Sequence, residues 1–116
     1  MGYQHIQLDY LEKMAAEDAD TRRELLLMVV ADLETSARRL KALWENQNRT
    51  ELQWLCHHLK STLPFVGNER LASANRLLEQ HLRQEKQTSP IHLLVFEMGI
   101  LIPEVLKELR LELEKR

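Results

Sequence analysis

Apolar residues recur every three or four positions along most of the chain, which is the spacing of amphipathic α-helices. The pattern predicts a short helix from Leu8 to about Ala15 and longer helices over 21–47, from 48 or 50 to 63, over 68–83 and over 90–115. A polar connection at 46–50 separates the second predicted helix from the third, and one at 84–88 separates the fourth from the fifth. Four substantial helices with short connections predict an all-α fold, an antiparallel up-down-up-down four-helix bundle with a short extra N-terminal helix.

Each predicted helix carries one apolar stripe, and the stripes together should form the core of the bundle. In chain order they consist of Leu8, Leu11 and Met14; Leu26, Val29, Val30, Leu33, Ala37, Leu40 and Trp44, widened by Leu25, Leu27 and Met28; Leu52, Leu55, Cys56, Leu59 and Leu63; Leu71, Ala74, Leu77, Leu78 and Leu82; and Leu94, Met98, Leu101, Val105, Leu109 and Leu113.

Pro64 should disturb the third predicted helix. It lacks an N–H, it would clash with the carbonyl of Lys60 in a regular helix, and it disfavours the helical conformation at Leu63. Gly67 then supplies a stop signal and Asn68 a new N-cap. We therefore expect the helix to bend or end between Leu63 and Gly67.

Pro103 poses the same problem inside the last predicted helix. Its clash partner would be the carbonyl of Gly99, a residue with unusual backbone freedom. We expect a kink or a break between Gly99 and Pro103.

Length and composition describe a small globular protein. The 116 residues allow a single domain, 1–116, and 44% apolar with 29% charged residues is typical of a soluble chain. A net charge of −2 argues against a dedicated nucleic-acid binder, which would usually be basic. One cysteine permits no internal disulfide and favours a reducing compartment.

Neither a signal peptide nor a membrane span is expected. The N-terminus lacks a basic segment followed by an apolar run, and the longest apolar stretch, 93–102, is short and broken by Glu97. We expect a cytoplasmic location, either for a free-standing protein or for the cytoplasmic part of a longer membrane-bound protein.

His57 is the candidate for chemistry. On a helical wheel it points away from the apolar stripe of its helix, toward solvent. Lys60 lies one turn on, on the same side, and Ser61 at i+4 is the next side chain along the helix. A small hydroxyl there leaves room above the ring. The pattern predicts an exposed imidazole, flanked by a cation, with space for a reactant.

The segment His57-x-Leu59-Lys60-Ser61, with Gly67 ten residues after the histidine, resembles the histidine phosphotransfer (HPt) domain. That family carries His-x-Leu-Lys followed by Gly or Ser, and then a glycine at this distance. The resemblance spans most of the chain.

The flanks of this segment extend the resemblance. Leu52 and Leu55 stand where the family has apolar residues, and Cys56 where it usually has alanine. Residues 67–71 and the pair Leu78-Glu79 resemble the family's next helix.

The resemblance implies a phosphorelay function. His57 would accept a phosphoryl group, reversibly, from an aspartyl phosphate on a response-regulator receiver domain, and Lys60 would stabilise it. Histidine suits this role because its ring is mostly neutral and nucleophilic near pH 7. A firm helix would hold the ring for in-line attack.

The partners and cofactors follow from the same resemblance. The receiver, which could be that of a hybrid sensor histidine kinase, would bring Mg²⁺. The chain would have no cofactor of its own, and because it has no glycine-rich nucleotide loop it should neither bind ATP nor phosphorylate itself. We expect a monomer without nucleic-acid or direct membrane contact.

A docking patch is predicted around His57. Trp54 lies one turn before it on the exposed side, and Pro64 and Phe65 lie beyond it, although Phe65 could instead turn inward. Pro64 is the main departure from the family, which usually continues its helix there, so the shape of this surface stays open. The family often holds its histidine with a polar side chain from a neighbouring helix, and no residue is assigned to that role from the sequence.

The residues around His57 and the bundle as a whole allow three other interpretations. His58 lies nearer the apolar stripe and should be a half-buried packing residue. Cys56, His57, His58 and His81 could suggest a metal site, but Cys56 belongs to the core stripe and the adjacent histidines diverge by 100°, so no metal is predicted. The alternative function is a helical bundle that serves only for interaction or dimerisation, without phosphotransfer.

Overall fold

The computed structural model describes residues 2–84 and 88–115. These residues contain five α-helices. Helix α2 contacts α3 and α5, and α4 contacts the same two helices, so the four long helices form the predicted antiparallel bundle. The short α1 packs on α2. The helices are α1 (Asp9–Ala15), α2 (Ala19–Glu45), α3 (Arg49–Thr62), α4 (Glu69–Arg83) and α5 (Thr88–Glu114).

Side-chain caps explain where three of the helices begin. Asp18, Asn48 and Asn68 each accept a hydrogen bond from the backbone N–H three residues on, at the starts of α2, α3 and α4. Of the two starts predicted for this helix, 48 and 50, the structure therefore has the first, with Asn48 as the cap. Residues 85–87 of the predicted connection before α5 lie outside the described residues.

The core contains most of the predicted stripes, with corrections at their edges. Met14, Leu27 and Met28 are exposed, because α1 is only 7 residues long and covers little of α2, and Ala15 takes the inward position on α1. On α4, Leu77 is exposed and its neighbour in the predicted stripe, Leu78, is buried. Four polar residues that the predicted stripes do not include are also buried: Ser36, Thr62, Asn75 and Glu79.

The chain leaves α3 through a 3₁₀ turn, Leu63–Phe65, so the predicted end of the helix near Pro64 is confirmed. The expectation that Leu63 leaves the helical region is wrong, since its φ and ψ are −62° and −30°. The tighter turn accommodates Pro64 without an N–H and keeps Leu63 buried, and it closes with a 3.0 Å bond from Val66 N to Leu63 O.

Helix α5 runs from Thr88 to Glu114 with Pro103 inside it, so of the two predicted alternatives, a kink or a break, the break does not occur. The carbonyl deprived of a partner belongs to Gly99, which is exposed, so water can bind it. Within the described residues no helix combines the length and apolarity that a bilayer crossing requires.

The N-terminal arm, residues 2–8, is tied to the bundle by Glu112. This carboxylate, only 11% exposed, accepts hydrogen bonds from Tyr3 Oη at 2.6 Å and Arg22 Nη2 at 2.5 Å, and pairs with Lys115 Nζ at 3.1 Å. Burial by itself raises the pKa of Glu112, but these three partners lower it by more, so the net pKa is about 2.

The depressed pKa predicts acid-sensitive stability. Above the ordinary value of 4.5 the full contribution of Glu112 is present, and it is lost as the pH falls toward 2, a difference of about 3 kcal/mol. Urea unfolding from pH 7 to pH 2.5 should show Glu112→Gln less stable than the wild type at pH 7, with the gap closing in acid. Glu114→Gln, at an exposed position, is the control, and a gap that did not depend on pH would contradict the assignment.

Candidate functional site

His57 lies on the outer face of α3, near the middle of the helix. The opposite face holds Leu52, Leu55, Cys56 and Leu59, all buried in the core. The His57 side chain is 60% exposed, as the helical wheel predicts. The imidazole therefore stands in solvent on a helix that packing holds firmly in place.

A buried glutamate on α4 faces this ring. Glu79, whose side chain is 4% exposed, places Oε2 3.5 Å from His57 Nδ1 and Oε1 2.6 Å from Lys60 Nζ. Arg83, one turn further along α4, lies 3.2 Å from the same carboxylate. The site thus joins α3 to α4 through one carboxylate and two cations.

Sequence reasoning missed Glu79 and Arg83. Leu78-Glu79 was noted only as part of a helix. The available signal was the Glu–Arg pair at i,i+4, which is common on exposed helix faces and does not show that the glutamate is buried against a neighbouring helix.

Glu79 is ionised in this setting. Burial raises its pKa, but the hydrogen bond and charge of Lys60, together with the charges of Arg83 and His57, lower it more, so the net shift is downward. Two permanent cations face one carboxylate, which leaves an excess of positive charge beside the ring. Such a surface favours an anionic reactant.

Cys56 lies directly before His57 but faces the core. Burial, and to a lesser degree the charge of Glu79, raises the pKa of its thiol to about 12. A protonated thiol buried on the opposite side of α3 is not placed to share a ligand with His57.

The other residues of the predicted motif have more local contacts. The Ser61 hydroxyl donates to the backbone carbonyl of His58 at 2.9 Å, so it bonds within its own helix. Gly67 lies beyond the 3₁₀ turn with a φ of 70° and its environment is the N-terminal arm. Lys60 and His57 contact the same Glu79 carboxylate, whereas Gly67 lies against Gln7 of the N-terminal arm.

Of the two predicted aromatic residues, Trp54 lies beside His57, whereas Phe65 lies on the α2 side of α3, where it lines a hollow with His58 and Asp32. Trp54 is exposed, with its ring edge-on to His57 at a centroid distance of 6.2 Å. Pro64 is exposed in the 3₁₀ turn, and Phe65 is half-buried with its ring 5.1 Å from that of Tyr10. Phe65 is therefore neither fully exposed for docking nor fully turned inward.

The interpretation of His58 as a half-buried packing residue is wrong, because its side chain is exposed. Its Nε2 lies 2.7 Å from Oδ1 of Asp32 on α2, and Thr62 donates to the other oxygen of that carboxylate. A polar partner on α2 therefore draws the ring to the surface between α2 and α3.

Comparison with solved structures links this geometry to a known fold. The chain is similar to the crystal structure of histidine-containing phosphotransfer protein B from Pseudomonas aeruginosa PAO1, with a TM-score of 0.84, 21% sequence identity and 99% of each chain covered. No protein-family model matches the sequence, and a search of curated proteins gave no match either. The likeness confirms the HPt-type fold that the sequence resemblance implied.

Proposed function

We propose that the chain is a phosphorelay carrier, which accepts a phosphoryl group on His57 from one receiver aspartate and passes it to another. The observation that carries this proposal is the exposed imidazole on a packed helix, with Nδ1 turned toward Glu79 and two cations beside it. The HPt-type fold supports it.

The ring geometry indicates which nitrogen reacts. The Glu79 carboxylate, 3.5 Å from Nδ1, favours the tautomer with its proton on that nitrogen, so we assign the lone pair and the reaction to Nε2 of the exposed ring. In the transfer, the Nε2–P bond forms as the bond between phosphorus and the aspartyl oxygen breaks, and the aspartate leaves as a carboxylate. The reverse reaction delivers the group to the next receiver.

The cations provide for the charge of the product. Lys60 and Arg83 are both partly exposed and both bind Glu79 in the resting state. A phosphoryl group on His57 brings negative charge close to them, so either side chain can turn from the carboxylate to the phosphoryl oxygens without leaving Glu79 unpaired.

The partner in this proposal is a response-regulator receiver domain, docking over Trp54, Pro64 and Phe65. It would supply Mg²⁺ and the remaining catalytic groups, while the chain acts as a monomer. Its specificity would depend on the residues around His57.

The test is uptake of phosphate from a receiver. Receiver domains encoded in the same genome are phosphorylated with acetyl phosphate, freed of the donor and mixed with the chain, and intact mass is followed over time. We expect one acid-labile phosphoryl group per chain with at least one receiver, and none from ATP alone. Failure with every receiver and with phosphoramidate would refute the proposal.

The alternative of a purely interacting bundle has one observation in its favour. Leu93, Phe96 and Ile100 are exposed on α5 at helical spacing. A patch of three side chains is within the range found on ordinary monomers. A bundle of this kind would take up no phosphate in the same experiment.

Glu79 should set the reactivity of His57. Glu79→Leu removes the carboxylate that lies 3.5 Å from Nδ1, and because the His57 ring is 60% exposed this contact is worth about 1 kcal/mol, so the transfer rate should fall roughly three- to tenfold. Rapid-quench transfer from a phosphorylated receiver measures it. Glu79→Gln, which can still accept from Nδ1, should retain more of the rate, and a leucine variant as fast as the wild type would exclude this role.

A further inference from the structure

A cleft of about 450 Å³ opens beside the candidate site, between the 3₁₀ turn and the first turns of α4. Leu63, Pro64 and Ala72 form apolar parts of its wall, and Asn75 lines it as well. Lys60 and Arg76 also line it. This volume is within the range of ligand-binding clefts.

Pro64 accounts for the shape of this region. Because α3 ends at Thr62 and the chain continues in a 3₁₀ turn, Pro64 stands opposite α4 instead of continuing α3. The same proline is the position at which the sequence departs from the HPt pattern. A feature particular to this chain therefore lies next to the proposed phosphorylation site.

Asn75 carries an unsatisfied polar atom in this region. The residue is 2% exposed, and its Nδ2 donates to the Cys56 carbonyl at 2.9 Å. Its Oδ1 is buried and accepts no hydrogen bond from the described residues. Exchanging the two amide atoms would set the oxygen against a carbonyl, so the orientation is determined. A buried acceptor without a partner is costly and uncommon.

We propose that the cleft receives a side chain of the docking receiver domain, one with an apolar body and a neutral hydrogen-bond donor at its tip, so that the cleft acts as a specificity pocket. This inference rests on the phosphotransfer function proposed above. It assigns the selection of the partner to the cleft and the phosphotransfer chemistry to His57.

The cleft lies close enough to His57 for a partner that docks at this histidine to cover it. Lys60 Nζ is 2.6 Å from the Glu79 carboxylate, which is itself 3.5 Å from the ring. A standard interface buries about 800 Å² on each partner, which corresponds to a disc of about 16 Å radius. A receiver centred on His57 therefore covers the mouth of the cleft.

The surrounding charges select the tip of the occupant. The cleft is lined by charges of both signs: the Glu69 carboxylate and the acceptor Oδ1 of Asn75 disfavour a carboxylate, and the cations Lys60 and Arg76 disfavour an ammonium or guanidinium group. Tyrosine, glutamine, serine and threonine side chains meet both conditions, and the apolar wall favours the larger two.

The test uses two variants of the full chain. Ala72→Phe fills the cleft, and Asn75→Leu removes the acceptor while keeping the volume of the side chain. The polar contact that the structure gives His57 is to Glu79, and that of Asn75 is to the Cys56 carbonyl. Ala42→Phe, at an exposed position toward the other end of the bundle, is the matched control. Each protein is phosphorylated with phosphoramidate, which needs no partner, and with the receiver that labels the wild type fastest.

We expect all four proteins to react equally with phosphoramidate. With the receiver, Ala72→Phe should raise KM at least tenfold and Asn75→Leu about three- to tenfold, with kcat within twofold and the Ala42→Phe control unchanged. Asn75→Leu also loses the bond from Nδ2 to the Cys56 carbonyl, so its resistance to urea should fall somewhat. Its unchanged rate with phosphoramidate, beside a raised KM for the receiver, is the result that a merely structural role would not predict.

Two outcomes would overturn the inference. If Ala72→Phe matches the control with the receiver, the cleft is not occupied in the complex although the proposed function stands. If the wild type takes up no phosphate from phosphoramidate or any receiver, the proposed function itself fails and the specificity pocket fails with it.

Discussion

The His57→Gln variant should take up no acid-labile phosphate from any receiver that labels the wild type. Glutamine keeps a polar, exposed side chain on α3 but has no nucleophilic ring nitrogen, so the loss should be complete rather than partial. Because the His57 side chain is 60% exposed and contributes little to the core, the variant should fold normally. Intact mass after mixing with the phosphorylated receiver measures the uptake, and circular dichroism checks the fold.

His58→Gln is the matched control, since it changes the adjacent histidine to the same residue. His58 is bound to Asp32 on the α2 side of the helix, away from Glu79, Lys60 and Arg83. This variant should accept phosphate at nearly the wild-type rate. Phosphate that persisted in His57→Gln and disappeared in His58→Gln would move the site to the pair of His58 and Asp32.

The largest effect on stability is expected for Gly67→Ala. Gly67 has a φ of 70°, which an alanine adopts at a cost of about 1 kcal/mol. An added Cβ would also overlap the backbone oxygen of Gln7 and lie 2.9 Å from its carbonyl carbon. The N-terminal arm would have to move, breaking the 2.9 Å bond from Gln7 N to Val66 O. We expect the free energy of unfolding in urea to fall by about 2–4 kcal/mol in total.

Gly99→Ala provides the opposite control. Gly99 lies inside α5, and a Cβ there would meet nothing within 4 Å. Alanine should therefore stabilise the protein by about 0.5–1 kcal/mol. If Gly67→Ala proved as stable as the wild type, the close approach of the arm to the 3₁₀ turn would be wrong.

Gly67 and His57 therefore contribute to the protein in different ways. The glycine is part of the motif resemblance, yet it acts on the fold by letting the arm pass beside the turn. Whatever fraction of Gly67→Ala remains folded should still take up phosphate, because the substitution leaves the contact between His57 and Glu79 in place.

Four features could be predicted from the sequence: the helices, the exposed position of His57, the cap at Asn68 and the end of α3 near Pro64. These features depend on neighbours within about one helical turn. Periodicity states which side of its own helix a residue occupies, and capping and proline effects act over a few residues. Local chemistry was therefore sufficient for them.

The failures occurred where a second helix decides the outcome. The helical spacing places Leu77 inside and assigns Glu79 no role at the site, but the structure buries Glu79 and exposes Leu77. His58 was expected to pack, and Asp32 instead holds it at the surface. In each case the environment of the side chain depends on which residue of the neighbouring helix stands opposite.

By itself, the sequence determined that this protein is a helical bundle with an exposed histidine on one of its helices. Only the tertiary structure decided that Glu79 faces that histidine, that Gln7 presses against Gly67 and that a cleft opens beside Lys60. The physical reason is that the rotation and register of packed helices follow from the fit of whole surfaces, which the spacing of residues along one helix does not specify.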